Sequence, residues 1–215
     1  MNVTQTIGEL SAPALDKLIR KAERHLARVD PVMQRLIKKH GHCPFAQREL
    51  HPFHMLANSI ISQQLSIKAA GAIRQRLTLL IEAPFLPEKF RVIPAEQLCG
   101  AGLSRAKARY IGALADRICA RQLVFDEITS KNDEAVIAML IECPGIGRWT
   151  AEMFLIFGLK RLDVLAVGDA GLQRAARLLY GKKRKSKTLL PRVAEAWRPY
   201  RSVASWYLWR SLAGN

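Results

Sequence analysis

Leu140-Ile141-Glu142-Cys143-Pro144-Gly145-Ile146-Gly147-Arg148-Trp149-Thr150-Ala151-Glu152-Met153-Phe154 is the stretch on which the reading of this chain turns. Ala135, Ala138, Met139 and Ile141 on one side, and Trp149, Met153, Ile156 and Phe157 on the other, recur at helical spacing, which predicts two helices. Pro144-Gly145-Ile146-Gly147 leaves room only for a tight hairpin between them, with both glycines free to take positive φ. The amides near Gly145 and Gly147, at the start of the second helix, lack intrahelical partners and carry partial positive charge. A phosphate is their natural ligand, and Arg148 adds a full charge beside them. A bare turn of this kind is ordinarily just a helical hairpin. The apolar flanks, Ile146 between the glycines and Arg148 together favour phosphate binding.

Composition supports the same partner. The chain has 215 residues, with 34 Lys and Arg against 18 Asp and Glu, for a net charge of +16. Such an excess calls for a polyanion, most simply nucleic acid. No apolar run reaches bilayer-spanning length and no basic-then-apolar export signal opens the chain, so no membrane partner is expected and the location is read as intracellular, in the cytoplasm or nucleoid. Cys43, Cys99, Cys119 and Cys143 are scattered without a C-x-x-C pair and read as reduced packing cysteines. His40-x-His42 and His51-x-x-His54 lack acidic or thiol partners in sequence, so surface or substrate-facing roles are favoured over metal binding.

In chain order, Leu10–Arg28 is amphipathic at helical period and Asp30-Pro31 ends it. Val32–Lys38 predicts a short helix, and Phe53–Leu80 predicts two helices meeting near Gln63-Gln64-Leu65-Ser66, with Ser66 as an N-cap. Pro84–Pro94 reads as loop, and Gly100-Ala101-Gly102-Leu103-Ser104 leads into a helix from Arg105 to Arg121, on which Lys107 and Arg109 read as a solvated face. After Asp169 a helix runs to Tyr180, then a basic run from Lys182 to Lys187, then an aromatic-rich helix from Leu189 to Leu212. Strand-like alternation never persists, so the class is all-α.

Asp169 lies twenty positions past Trp149 and, taken alone, reads as an N-cap. The whole pattern says more. Leu140-x-x-x-Pro144-Gly145-Ile146-Gly147-Arg148-Trp149-Thr150-Ala151, followed by Asp163-Val164-x-x-Val167-x-Asp169, resembles the helix-hairpin-helix-Gly/Pro-Asp superfamily of DNA glycosylases, and within it the AlkA-type alkylpurine branch. Ile60–Ser66, Gly100-x-Gly102-Leu103-Ser104-x-x-Lys107 and Trp197–Ser202 with Trp209 resemble further family segments, so the likeness covers about residues 52–213.

The resemblance implies two helical subdomains with the active site in the cleft between them. Residues 1–50 and 166–215 would form one, and residues 51–165, carrying the hairpin, the other. It implies that Asp169 is catalytic, that Trp149, Met153 and Trp209 line the base pocket, and that Gln64 and Leu65 fill the gap left by an extruded base. Gln63, Ser66, Gly145, Ile146, Gly147, Arg148 and Thr150 would contact DNA, and backbone carbonyls of Ile141, Cys143 and Ile146 would hold Na+ or K+. Trp149 stands where lyase-competent relatives place a Schiff-base lysine, which implies a monofunctional enzyme. Met153 and Ala170 stand where some alkylpurine enzymes carry tyrosines. No cysteine follows Cys143, so an iron–sulfur cluster is excluded and no cofactor is expected. The expected partner is double-stranded DNA with a damaged base, bound by a monomer and cleaved at alkylated purines. The alternatives are a glycosylase for other damaged or mismatched bases and a non-catalytic helix-hairpin-helix DNA-binding protein.

Overall fold

The structure, a computed structural model, describes residues 11–47, 51–81, 84–181 and 188–213. Most of these residues are helical, and there is no strand among them. The basic run from Lys182 to Lys187 lies outside them.

The chain divides into two compact units: Met1–Glu49 with Leu155–Asn215, and Leu50–Phe154. The first contains α1 (Ala12–Val29) and α2 (Pro31–His40); the second contains α3 (Pro52–Ser62), α4 (Ile67–Ile81), α5 (Pro87–Arg91), α6 (Ala95–Gly100), α7 (Arg105–Cys119), α8 (Phe125–Thr129), α9 (Asp133–Ile141) and α10 (Arg148–Met153). A π-helical turn, Phe154–Gly158, carries the chain back to the first unit, which ends with α11 (Ala170–Tyr180), α12 (Leu189–Ala194) and α13 (Arg201–Leu212). Residues 155–165, expected with the hairpin, group instead with the terminal helices. The reason is local. Ser202 donates its amide to Leu162 O (2.9 Å) and its hydroxyl to Arg161 O (2.6 Å), while Val164 N donates to Ser202 Oγ (3.0 Å), so this segment is bonded to the start of α13.

Two other elements depart from the sequence reading. Pro87 opens α5 inside the expected loop, because its fixed φ suits a first helical position and Phe90 is buried against Phe53 and Phe85. The last aromatic helix is broken into α12, a 3-10 turn at Glu195–Trp197 and α13, since Pro199 cannot continue a helix.

Carboxylates join the helices of the first unit. Asp30 caps α2 through Val32 N (2.8 Å) and also accepts from Tyr180 Oη and Trp197 Nε1, both 2.8 Å. Buried Glu23 accepts Cys43 N, Tyr207 Oη and His42 Nδ1 on one oxygen, at 2.8, 2.8 and 2.9 Å. His42 Nε2 meets Asp16 at 2.7 Å. The histidine read as surface or substrate-facing is therefore a clamp between two carboxylates. Burial of the ring opposes its charge, but hydrogen bonds and charge from Glu23 and Asp16 outweigh this and raise the His42 pKa above its ordinary value.

A neutral imidazole has only one N–H and would leave one carboxylate facing a lone pair. Because the folded-state pKa is raised, the clamp's stability is fully present below the unfolded pKa of about 6.5 and is lost as pH rises through the folded value. His42→Asn should therefore lower the melting temperature by a few degrees at pH 6 and by clearly less at pH 9; equal losses at both would show that the ring is not charged in the fold.

Candidate active site

Two turns of the second unit carry most of the expected DNA contacts. The α9–α10 hairpin places Gly145 at φ +84°, and a Cβ there would come within 2.4 Å of Tyr110 Cδ2 on α7. Glycine is required twice over, by backbone conformation and by space. Gly147 differs from expectation. It takes φ −94° and ψ 171°, extended geometry open to any residue, and nothing stands near its missing Cβ. It serves as N-cap of α10, accepting Ala151 N at 3.0 Å.

Ile146 is buried, and its amide donates to Cys143 O (3.0 Å), so the amides of the turn are not all turned outward. Thr150, expected at the DNA, is 4% exposed and packs its side chain inside the unit. Arg148 also departs from expectation. Its guanidinium pairs with both oxygens of Glu134 (Nη1 to Oε2, 3.0 Å; Nη2 to Oε1), and its Nε meets Glu152 Oε1 at 3.1 Å. Two carboxylates balance the charge that the sequence suggested for a phosphate. The carbonyls of Ile141, Cys143 and Ile146 follow the negative end of α9. Cys143 O already accepts one amide, so it keeps only one lone pair for a cation. Oxygen donors of this kind suit a hard monovalent ion, and no group of three or more His, Cys, Asp or Glu among the described residues suits a tighter one.

The second turn joins α3 to α4. Ser66 caps α4 as expected, its Oγ accepting Ala69 N at 3.2 Å. Gln64 adopts φ +55°, rare for a residue with a side chain, and Leu65 and Ile67 are 39% and 90% exposed. Gln63 turns inward and donates Nε2 to Gly145 O at 2.8 Å, which ties this turn to the hairpin. Beside it Met55, Asn58, Ser59, Ser62, Gln63, Gln64 and Trp149 line a pocket of about 410 Å³. Half-exposed Trp149 is the aromatic member of this lining, whose surface is mostly apolar with amide and hydroxyl groups from Asn58, Ser59, Ser62, Gln63 and Gln64. Met153, expected there, is buried at 7% and absent from the lining.

The carboxylate belongs to the first unit. Asp169 N-caps α11, and its Oδ1 accepts Leu172 N at 2.7 Å and Trp209 Nε1 at 2.9 Å. Trp209, expected as a pocket face, is an indole donor to this carboxylate, with Phe157 against its ring at 5.8 Å between centroids. Sequence reasoning missed Gly171. A Cβ there would lie 3.1 Å from Asp169 Oδ1 and 3.3 Å from Trp209 Cδ1, so the absent side chain lets the indole reach the carboxylate. The signal was a glycine in the first turn of a helix, where nothing local requires one. Met55, Asn58, Tyr110 and Glu134 were also missed, since only the fold brings them to these turns, whereas Glu152 carried a local signal, four residues past Arg148 on one helix.

Gly145 and Gly147 make a paired test. Gly145→Ala should destabilise the protein by more than the roughly 1–2 kcal/mol of left-handed strain, because the Tyr110 clash adds to it. Gly147→Ala should cost less than about 1 kcal/mol, the difference between a glycine and an alanine N-cap. Chemical denaturation measures both, and equal losses would contradict the geometry.

Comparison with known proteins extends these observations. The family model for HhH-GPD superfamily base excision DNA repair proteins matches residues 57–199. The alkylbase DNA glycosidase-like protein mag2 of Schizosaccharomyces pombe is 30% identical over 202 residues, covering 91% of this chain and 94% of that one. Among solved structures, the DNA-3-methyladenine glycosidase of Bacillus halodurans superposes with a TM-score of 0.77 at 40% identity, covering 88% of each chain. The 3-methyladenine DNA glycosylase Mag1 of Schizosaccharomyces pombe, solved in complex with abasic DNA, gives 0.76 at 32% identity over 90% of this chain and 97% of its own. With a family match spanning two helical units, the hairpin and the capping aspartate, the chain belongs to the HhH-GPD superfamily of base excision DNA repair proteins.

Proposed function

We propose that this chain is a monofunctional DNA glycosylase that hydrolyses the N-glycosidic bond of alkylated purines of the 3-methyladenine and 7-methylguanine type. The observation that carries the reading is Asp169, whose Oδ1 is fixed by Leu172 N and the Trp209 indole in a member of a base-excision family. Relatives named for 3-methyladenine support the substrate class.

The chemistry suits these residues. The bond between C1′ and the base nitrogen breaks, the base leaves with the electron pair, and the sugar becomes oxocarbenium-like. Asp169 faces that positive charge and orients the water whose oxygen bonds to C1′; the released proton passes to the carboxylate or to solvent. Free base and an abasic sugar result. A base must leave the stack to be reached, and Gln64 and Leu65 fill the gap. N3- and N7-alkylated purines are cationic, so the Trp149 face holds them by stacking and cation–π attraction. They are also good leaving groups, and no strong general acid is required. DNA phosphate meets the amides of Gly147 and Arg148 at the hairpin, and the Ile141, Cys143 and Ile146 carbonyls would hold a Na+ or K+ ion, whose charge would steady the turn. The protein acts as a monomer and inside the cell. None of its helices among the described residues is long and apolar enough to cross a membrane.

Release of 3-methyladenine and 7-methylguanine from DNA treated with a methylating agent tests the function. Wild type should release both. Asp169→Asn should bind the same duplex and lose about a hundredfold or more in single-turnover rate; a rate within a few-fold of wild type would remove Asp169 from the chemistry. A protein that binds without releasing any base would be the non-catalytic alternative. Because an indole forms no Schiff base, borohydride should trap no covalent enzyme–DNA product, and a trapped band would overturn the monofunctional reading.

A further inference from the structure

Lys107 was read as part of a solvated face, and the structure gives it a different position. Its ammonium sits in the first turn of α7, a helix capped by Ser104 Oγ through Lys107 N (3.2 Å), and donates to Ile61 O at 2.8 Å and Gln63 O at 2.6 Å. Those carbonyls belong to the C-terminal end of α3, where the last groups lack intrahelical partners and the helix end is negative. One helical turn on, Tyr110 lies against Gly145 so closely that no Cβ fits between them. Gln63 closes the figure by donating to Gly145 O. One face of α7 therefore holds two turns: the α3–α4 turn through Lys107, the hairpin through Tyr110. Gln63 spans them.

We infer that Lys107 is a positioning residue for base extrusion, fixing the α3–α4 turn against the hairpin so that Gln64 and Leu65 stand at a set distance from the backbone phosphate seated at Gly147. The inference rests on the glycosylase reading. Its physical basis is the conformation of Gln64. A residue with a side chain at φ +55° persists only where its neighbours are held from outside. The residue before it is held on both sides, its carbonyl by the ammonium and its side-chain amide by Gly145 O. Arg74 Nη1 adds a third restraint by donating to Ser62 Oγ at 3.0 Å. Burial of the Lys107 ammonium lowers its pKa, in keeping with a group placed for two carbonyls rather than for solvent.

The test compares full-length wild type with Lys107→Met, Lys107→Arg and Gln63→Ala. Three quantities are measured: melting temperature, affinity for an undamaged duplex, and affinity for the same duplex with a central abasic-site analogue. Lys107→Met keeps stem and volume but removes both donors. Its preference for the abasic duplex should fall by about fivefold or more while undamaged affinity stays within about twofold, because phosphate contacts set the latter. Lys107→Arg should recover most of the preference. Gln63→Ala should fall in the same direction, and adding Lys107→Met to it should cost less than the product of the two, since both act on one turn. Emission from 2-aminopurine beside a methylated base should drop in parallel with the abasic preference.

A purely structural role would lower melting temperature and both affinities together and leave their ratio unchanged. An unchanged ratio in folded Lys107→Met overturns the inference. If that variant does not fold, Gln63→Ala decides, and an unchanged ratio there overturns it equally. Wild type that neither prefers the abasic duplex nor releases methylated purine overturns the glycosylase reading, and the inference with it; wild type that does both, with variants indistinguishable from it, sinks the inference alone.

Discussion

How closely the hairpin can approach α7 decides what the second unit can present to a duplex. With Gly145 at φ +84° and its Cα against Tyr110, the turn sits one side chain's thickness nearer than any other residue would permit. That approach brings Gly145 O within reach of Gln63 at 2.8 Å. A hydrogen bond between two backbone turns so far apart in sequence survives only if both are fixed to a common element, since ordering loose loops costs about 1–2 kcal/mol per residue. α7 is that element. Its own start follows Gly102 at φ +105°, where a Cβ would strike Arg76 Nη2 at 2.6 Å, and Arg76 Nε in turn binds Ala101 O. Three contacts between turns and helices thus reduce to the packing of one helix.

The first unit is built on a different principle. Its joints are carboxylates, each taking several donors from segments distant in sequence: Asp30 with Tyr180 and Trp197, Glu23 with His42, Cys43 and Tyr207, and Asp163 with Arg198 and Arg201. Buried acceptors of this kind are tolerated because their partners are charged or well aligned, and removing one partner leaves a desolvated charge. Asp169 belongs to the same set by construction. It caps a helix and binds an indole as Asp30 does. Its geometry is that of a structural carboxylate, and the catalytic role proposed for Asp169 rests on the family pattern around it. With so many of the 18 acidic residues engaged inside or on the flanks, the 34 basic residues dominate the surface field.

Much of this was legible in the sequence, for identifiable reasons. Helices with a clear apolar stripe, such as α1, α7 and α11, have spacing that survives folding. Gln63-Gln64-Leu65-Ser66 was readable as a turn because Ser66 is a local cap. α5 was not, since five residues carry no period and its stability comes from Phe90 meeting Phe53 and Phe85. Lys107 was misread because a lysine on a helix is ordinarily solvated, and only the end of α3, more than forty residues earlier, reveals its use. Trp209 was expected as a pocket face, and the structure shows its indole N–H donating to Asp169. An indole can stack or donate, and the choice depends on Gly171 leaving it room. What escaped the sequence was mostly the identity of partners, which is a tertiary property.

Arg148 shows why an unpaired positive charge at the hairpin would be a poor way to hold DNA. One guanidinium against the two carboxylates of Glu134 and Glu152 leaves the start of α10 with no net positive side chain of its own. Hydrogen bonding to Arg148 holds the Glu134 carboxyl below its ordinary pKa. Long-range attraction does not need Arg148. The surplus charge elsewhere supplies a field that reaches about 8 Å in physiological salt and selects no register. Register requires donors of fixed direction, and backbone amides at a helix start are held by the helix itself. Held by two glutamates, Arg148 ties α10 to α9, and the phosphate contact proposed for the hairpin rests on amides whose directions the helix sets. On the proposed reading, charge brings the DNA backbone near and the rigid peptide groups set where along it the protein stops.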